Sequence, residues 1–378
     1  MAPRRRPSTI VRNLLLAAVL LVLAVAGLEG VSSFLGLARG YRALRPPPAN
    51  FRQATYDSLI GWVGIPNLAI ADNYGPGLSL TTNAEGMRIH RPVTASLAPD
   101  ERRIVCSGDS FTFGSGVGDG ETFCAALERE LPGVRTLNMA QRGYGNDQAY
   151  LRYRRDAGAY PHQLHLFAFI WNDFERMALT SFTGYPKPVL ALRDGAIVTG
   201  NVPVPEWKGW TRRAAAPALL SRLRLMQLIR ERVNPTDSAK MARVDAQVLP
   251  VVEPMFRDLA RLARDRGSEL VLVYLPAPPD LRPGAWDIRR RKLADIGRRT
   301  GVTLIDLTDE IRRLPADTLD WMFITEHALS VDGASGHYTA RGHDWVAARL
   351  AAHFRELPAL RSALGQGTPA LVAARDAR

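Results

Sequence analysis

The chain has 378 residues, which is enough for one large α/β domain with extra segments or for two ordinary domains. Its net charge is +12, from 49 basic and 37 acidic residues, and the excess is arginine scattered along the chain. Because nucleic-acid binding usually needs a clustered basic face, this distribution argues against a nucleic-acid partner.

The N-terminus predicts a membrane anchor. Residues 1–9 carry arginines, and residues 10–31 are almost wholly apolar and long enough to cross about 30 Å of hydrocarbon as a helix. A cleaved signal peptide is the alternative, with Ala24-Val25-Ala26 as its cleavage site. We expect a cytoplasmic tail over 1–9, a single crossing of the bacterial inner membrane, and a main domain on its extracytoplasmic side.

Two segments separate this anchor from the first long strand pattern. Residues 32–50 include Pro46-Pro47-Pro48, a run typical of a stiff and extended spacer. Residues 51–100 are rich in asparagine, glycine and proline and contain only short strand-like pieces. They predict an irregular N-terminal extension of the domain that follows.

From residue 101 strand and helix patterns alternate. Strands are predicted at 102–107, 134–139, 164–170, 269–275 and 302–306, and helices at 121–131, 146–157, 249–265, 287–299 and 341–355. This order predicts a single α/β domain over 101–357, flavodoxin-like and three-layered, with a parallel sheet of about five strands. Residues 178–245 predict an insertion in this domain, and residues 358–378 a C-terminal tail.

The two cysteines fall within this pattern. Cys106 lies in the first predicted strand of the domain and Cys124 in the helix after it. These positions favour two buried thiols over a disulfide, and neither cysteine has the spacing of a metal ligand.

A serine stands where the first of these strands ends, in the run Gly108-Asp109-Ser110-Phe111. Active sites of open parallel sheets gather at the carboxyl ends of strands, so the Ser110 hydroxyl can meet a ligand there. A nucleophilic serine also needs a general base and donors for an oxyanion. Three later blocks offer them, at 138–145, 170–173 and 336–343.

Taken in order, the four blocks resemble the SGNH (GDSL-type) hydrolase family over residues 102–355. The resemblance implies that Ser110 is the nucleophile. It also implies an oxyanion hole formed by the backbone amides of Ser110 and Gly143 and the side chain of Asn172. A glycine suits this task because its N–H approaches a carbonyl with no side chain in the way.

The resemblance assigns His337 as the general base, with His327 and His343 as rivals. The family generally has an aspartate two or three residues before this histidine, and here serine and alanine occupy those positions. The nearest acid is Asp332. We expect either that Asp332 orients the imidazole through a longer loop or that a serine–histidine dyad suffices.

Other features leave alternatives open or extend the resemblance. Trp171 stands where the family usually has glycine. For Gly143 the alternative to an oxyanion donor is a simple turn glycine. For Asn172 the alternative is a helix cap. Asp109 is expected to hold its turn by accepting hydrogen bonds from backbone amides. The segments 56–62 and 83–88 resemble parts of bacterial membrane-anchored members of the family.

The resemblance implies a serine esterase that forms an acyl-enzyme and needs no metal or organic cofactor. Its expected substrate is an ester, with an acetylated envelope glycan or a lipid as candidates, and Trp207 and Trp210 are candidates for stacking on a sugar ring. One alternative is an O-acyltransferase on envelope glycans. A second is a non-catalytic binding module on a degenerate hydrolase fold, suggested by the missing aspartate and by Trp171.

Overall fold

The computed structural model of the chain describes residues 9–43, 53–206, 236–325 and 333–366. Two compact units are distinguished: Met1–Pro47 with Lys208–Arg243, and Pro48–Trp207 with Val244–Arg378. Four residues named above as functional candidates lie outside the described residues: Trp207, Trp210, His327 and Asp332.

The first unit contains the N-terminal helix α1 (Thr9–Ala43). Its stretch Val11–Phe34 is 24 residues long and apolar. At about 1.5 Å per residue it extends about 36 Å, which exceeds the roughly 30 Å of a bilayer's hydrocarbon core. The predicted apolar N-terminal helix is confirmed, and its length and composition suit a membrane span.

The second unit is built around a five-stranded sheet in which every neighbouring pair is parallel, with spatial order β13-β12-β7-β5-β6. These strands are β5 (Arg102–Ser107), β6 (Val134–Asn138), β7 (Leu164–Phe169), β12 (Glu269–Tyr274) and β13 (Thr303–Asp306). The remaining strands form antiparallel pairs: β1 (Ala54–Asp57) with β2 (Gly61–Gly64), β3 (Ala69–Ile70) with β4 (Leu80–Thr81), β8 (Ser181–Phe182) with β9 (Tyr185–Pro186), and β10 (Val189–Arg193) with β11 (Ala196–Gly200). The predicted parallel sheet of about five strands is confirmed.

Helices alternate with the parallel strands, as the sequence pattern predicts. After α1 they are α2 (Ser110–Phe113), α3 (Phe123–Glu130), α4 (Asn146–Asp156), α5 (Trp171–Met177), α6 (Thr236–Asp265), α7 (Ala285–Thr300), α8 (Thr308–Ile311), α9 (Ala316–Met322), α10 (Ala340–Glu356) and α11 (Pro358–Ala363). Helix α6 begins well before the predicted residue 249 and contains Pro250 and Pro254.

The sheet is covered on both faces. Its central strands are largely apolar and lack the alternation of polar and apolar residues that marks a half-exposed strand. All six residues of β7 are buried, as expected for a parallel strand between two helical layers. On one face a single apolar core joins the sheet to α3 and α10 through residues such as Leu127 and Leu350. On the other, the ring of Phe256 in α6 stacks on Phe169 at 6.0 Å. Cys106 and Cys124 are buried free thiols, as predicted.

A buried arginine ties the N-terminal extension to the loop after Ser110. Arg88 ends the segment 83–88, and its side chain is 1% exposed. Its Nε donates to Asp119 Oδ1 at 2.9 Å, and its terminal nitrogens donate to the carbonyls of Phe113 at 2.8 Å and Val117 at 2.6 Å. The extension is therefore fixed to the chain that follows the serine.

We predict that Arg88→Met destabilises the second unit by about 3–5 kcal/mol, because it leaves the buried Asp119 carboxylate without its cationic partner. Urea unfolding of the detergent-solubilised chain measures this. Arg193→Met is the matched control, since Arg193 is exposed on β10. Equal free energies of unfolding for the two variants would contradict the structural role of Arg88.

Candidate active site

The nucleophile candidate begins a short helix at the carboxyl end of the interior strand β5. Asp109 caps α2, with its Oδ1 accepting from Phe111 N at 2.8 Å, so its predicted role in the turn is confirmed. At Gly108 a Cβ atom would lie 2.6 Å from the Ala168 carbonyl oxygen, so only glycine fits between the turn and β7. Ser110 is 8% exposed.

His337 lies directly against this serine. Its Nε2 is 2.7 Å from Ser110 Oγ, and its Nδ1 is 3.1 Å from the Ala334 carbonyl oxygen. A carbonyl can only accept, so Nδ1 carries the proton and Nε2 is free to accept from the serine hydroxyl. The ring packs on Phe111, with 4.6 Å between centroids, and Ile324 N donates to the His337 carbonyl at 2.7 Å.

The structure separates His337 from one of its rivals. His343 is fully buried in α10, and its Nδ1 accepts from Phe123 N at 3.1 Å. Burial lowers the pKa of His343 to about 3, so it stays neutral and packed. In the described residues, the acceptor on Nδ1 of His337 is a backbone carbonyl, which sequence reasoning had not identified.

The protonation of His337 follows from its surroundings. Burial lowers the pKa of this imidazole below its ordinary value, and the nearby Asp109 carboxylate partly opposes the shift. Since the unperturbed pKa is about 6.5, the ring is neutral at pH 7 and able to take a proton. Asp109 Oδ2 is also 3.2 Å from Ser110 Oγ.

Gly143 lies in the loop after β6 with φ +73°. A Cβ there would lie 3.0 Å from the ring of Phe182 and 3.5 Å from that of Trp62. Both the backbone conformation and the close rings therefore require glycine. Within the described part of the chain, the amides of Ser110 and Gly143 donate to no protein group, which leaves both N–H groups available to a ligand.

Asn172 is exposed in the first turn of α5, directly after β7. The carboxylate that caps this helix belongs to Asp173, whose Oδ2 accepts from Ile170 N at 3.0 Å, so the helix-cap alternative for Asn172 is wrong. The neighbouring Trp171 is 2% exposed, and its ring packs against Phe174 with 5.2 Å between centroids. The tryptophan thus belongs to the packed interior.

One arginine that sequence reasoning missed joins two of the strand-end loops to helix α5. Arg176 Nη1 donates to Asp109 Oδ2 at 3.2 Å, to the Tyr144 carbonyl at 2.9 Å and to Asp173 Oδ1. These acceptors immediately neighbour Ser110, Gly143 and Asn172 in the sequence. The guanidinium therefore fixes the relative positions of the backbone around all three candidate residues.

Asp109, Asp173 and Arg176 form a charged cluster beside the candidate residues. Burial and the nearby Asp109 carboxylate raise the pKa of Asp173 well above its ordinary value. Arg176 is the cation between these two acids, and the ring of Phe182 covers it at 4.9 Å from the guanidinium carbon. No group of three or more histidine, cysteine, aspartate or glutamate side chains suited to a metal ion occurs among the described residues.

The chain is similar to solved structures of lipolytic proteins. A G-D-S-L family member from Veillonella parvula is 14% identical, with 67% of this chain and 97% of that chain covered and a TM-score of 0.37. A lipase/acylhydrolase from Enterococcus faecalis is 13% identical (67% and 95%, TM-score 0.36), and an acetylxylan esterase from Geobacillus stearothermophilus is 13% identical (70% and 94%, TM-score 0.37). No family model and no curated protein matches the chain. The function proposed below rests on the geometry of the site itself.

The lowered pKa of His337 predicts the pH dependence of Ser110 reactivity. Only the neutral imidazole is expected to activate the serine, so the acid limb in the rate of labelling by a fluorophosphonate should be centred below pH 6.5, the ordinary pKa of a histidine. Rapid-quench labelling followed by mass spectrometry measures the profile. An acid limb centred above pH 6.5 would contradict the assigned environment of His337.

The position of Arg176 predicts that Arg176→Met slows this labelling at least about tenfold, because the loops beside Ser110 lose their common donor. Arg176→Lys should lose less, since it keeps the charge but not the planar fork. Millimolar guanidinium should partly restore the rate of Arg176→Met, a rescue that a purely packing role does not give. Arg193→Met is the control, and a labelling rate equal to that of the control would refute the role of Arg176.

Proposed function

We propose that this protein is a serine esterase of the SGNH type that works through an acyl-enzyme. The observation that carries the proposal is the 2.7 Å contact between Ser110 Oγ and His337 Nε2, with Nδ1 of the same ring held by the Ala334 carbonyl. A hydroxyl bonded to an oriented, neutral base is the arrangement that nucleophilic catalysis requires.

In the proposed reaction Ser110 Oγ attacks the ester carbonyl carbon while its proton passes to His337 Nε2. The tetrahedral intermediate collapses, the bond from carbon to the alcohol oxygen breaks, and His337 returns the proton to the departing alcohol. Water then attacks the acyl-enzyme, again with His337 as base. The products are the free acid and the regenerated serine.

The oxyanion of each intermediate would be bound by the amides of Ser110 and Gly143 and by the side chain of Asn172. The exposure of Asn172 supports this role, as do the two amides, for which the described residues supply no acceptor. Each donor of this kind contributes about 3–4 kcal/mol of transition-state stabilisation in comparable sites. Arg176 acts through the loops as a positioning residue.

We further propose that a serine–histidine dyad suffices for this chemistry. The Ala334 carbonyl fixes the tautomer of His337, and the Asp109 carboxylate favours the imidazolium that forms during the reaction. Asp332 remains a candidate for the orienting acid. A dyad with a carbonyl acceptor explains how the site functions without an aspartate two or three residues before the histidine.

We place the catalytic domain, over about 101–357, on the extracytoplasmic side of the bacterial inner membrane, anchored through α1. The length and apolar composition of Val11–Phe34 support this placement. The substrate we propose is an O-acyl, above all O-acetyl, ester of an envelope glycan. Transfer of the acyl group to a sugar hydroxyl in place of water is the second candidate, since the same acyl-enzyme serves both acceptors.

We predict that Ser110→Ala and His337→Gln each lower the kcat for p-nitrophenyl acetate at least about a thousandfold, because each removes one half of the nucleophilic pair. Steady-state kinetics and circular dichroism check activity and folding together. Ser181→Ala is the control, since Ser181 is an exposed serine on β8. Unchanged turnover in a folded Ser110→Ala protein would refute the proposal.

A second measurement separates the alternatives. A non-catalytic binding module would leave Ser110 unlabelled by fluorophosphonate, whereas the esterase and the transferase are both labelled. Hydrolase and transferase differ in the fate of an isotopically labelled acetyl donor supplied with a glycan acceptor. Free acetate as the main product identifies the hydrolase, and labelled glycan identifies the transferase.

A further inference from the structure

An aromatic pocket has Trp62 in its lining, and Trp62 also lies close to Gly143. It opens between the β1–β2 hairpin, the β8–β9 hairpin and residues 205–206, with a volume of about 110 Å³. Its principal lining residues are Tyr56, Trp62, Tyr185, Pro186, Pro205 and Glu206. None of them has a role in the mechanism proposed above.

The two hairpins bring three aromatic rings together in this pocket. Tyr56 and Trp62 are register partners across β1 and β2, so their side chains lie on the same face of the hairpin. The Tyr185 ring meets Trp62 edge-on, with 6.3 Å between centroids and 63° between the planes. Tyr56 is 44% exposed, and its hydroxyl donates to the Val204 carbonyl at 2.6 Å, which fixes its orientation at the pocket wall.

Aromatic contacts connect this pocket with the candidate oxyanion site. Trp62 Nε1 donates to the Arg142 carbonyl at 3.0 Å, and Trp62 Cζ2 lies 3.5 Å from the position of a Cβ on Gly143. Phe182, which lies against the same glycine, is the register partner of Tyr185 across β8 and β9. Both hairpins thus extend from the loop of Gly143 to the pocket.

We propose that this pocket binds a sugar ring, as part of the alcohol portion of the ester that Ser110 cleaves. Aromatic faces pack against the C–H face of a sugar ring, and a carboxylate accepts hydrogen bonds from neighbouring hydroxyls. Among the described residues that line the pocket, Glu206 is the charged one. The volume is below the roughly 300–1,000 Å³ of drug-sized sites and suits a single ring.

This inference rests on the proposed esterase function for the identity of the ligand, but the pocket can be tested separately. The first test measures binding of unacetylated xylose and glucose oligomers to the folded, full-length Ser110→Ala protein by saturation-transfer NMR. We expect signals from the sugar ring protons with the Ser110→Ala protein. These signals should decrease in Ser110→Ala/Tyr185→Ala and persist in Ser110→Ala/Tyr185→Phe. No sugar signal with any of these oligomers would overturn the proposal.

The second test is kinetic and uses the active protein. In Tyr185→Ala the ratio of kcat/KM for an acetylated methyl glycoside to that for p-nitrophenyl acetate should fall about tenfold, the size expected for one lost aromatic contact. Tyr185→Phe should keep the ratio of the unmodified protein. An unchanged ratio in Tyr185→Ala overturns the subsite, whereas absence of all esterase activity overturns the proposed function and leaves the binding test valid.

Aromatic rings with a nearby carboxylate are also the residues that bind quaternary ammonium groups. The same binding experiments distinguish such a cation from a sugar. Tetramethylammonium is the probe, with Glu206→Gln as the variant. A sugar site keeps most of its affinity in Glu206→Gln, because the amide still accepts a hydrogen bond. Binding of tetramethylammonium that Glu206→Gln abolishes, together with no sugar binding, would overturn the proposal in favour of a cation site.

Discussion

The site depends on one constraint, that the imidazole of His337 is neutral and held in a single tautomer. Burial keeps the pKa of the ring low, and the Ala334 carbonyl can only accept, so the proton lies on Nδ1 and Nε2 faces Ser110. Every other feature of the site acts on this pair. Asp109 supplies a negative charge beside it, and the loops around it carry the proposed donors for an oxyanion.

The fold supports this pair by bringing three strand ends to one edge of a parallel sheet. The absence of a side chain at Gly108 allows the turn before Ser110 to lie against β7, and Gly143 has a positive φ with the ring of Phe182 against it. Arg176 then joins both loops to α5. Arg88 secures the next stretch of chain from outside the sheet. The N-terminal extension is therefore a structural part of the catalytic unit in this account.

Much of the sheet could be predicted from sequence because its strands are short apolar runs that alternate with helical patterns, as is typical of a parallel sheet. The predicted strand at 164–170 is Leu164–Phe169 in the structure, and that at 302–306 is Thr303–Asp306. Helix α6 begins before the predicted residue 249, at Thr236, and continues through Pro250, although proline is best tolerated in the first turn of a helix.

Parts of the candidate site could not be predicted in the same way. Ser110 and Gly143 carry local signals, a polar residue at a strand end and a glycine in a turn. Arg176 carries none, because the acceptors on Asp109 and Tyr144 come from loops that are far from it in the sequence and meet it only when the sheet forms. The Ala334 carbonyl is a backbone group, and no residue type marks it as the partner of an imidazole.

The most direct test of this account is a crystal structure of the protein after reaction with a small alkyl fluorophosphonate. The account predicts phosphorus bonded to Ser110 Oγ, with a phosphoryl oxygen about 3 Å from the backbone nitrogens of Ser110 and Gly143 and within reach of the Asn172 side chain. An adduct on another residue, or a phosphoryl oxygen that points away from both amides, would contradict it.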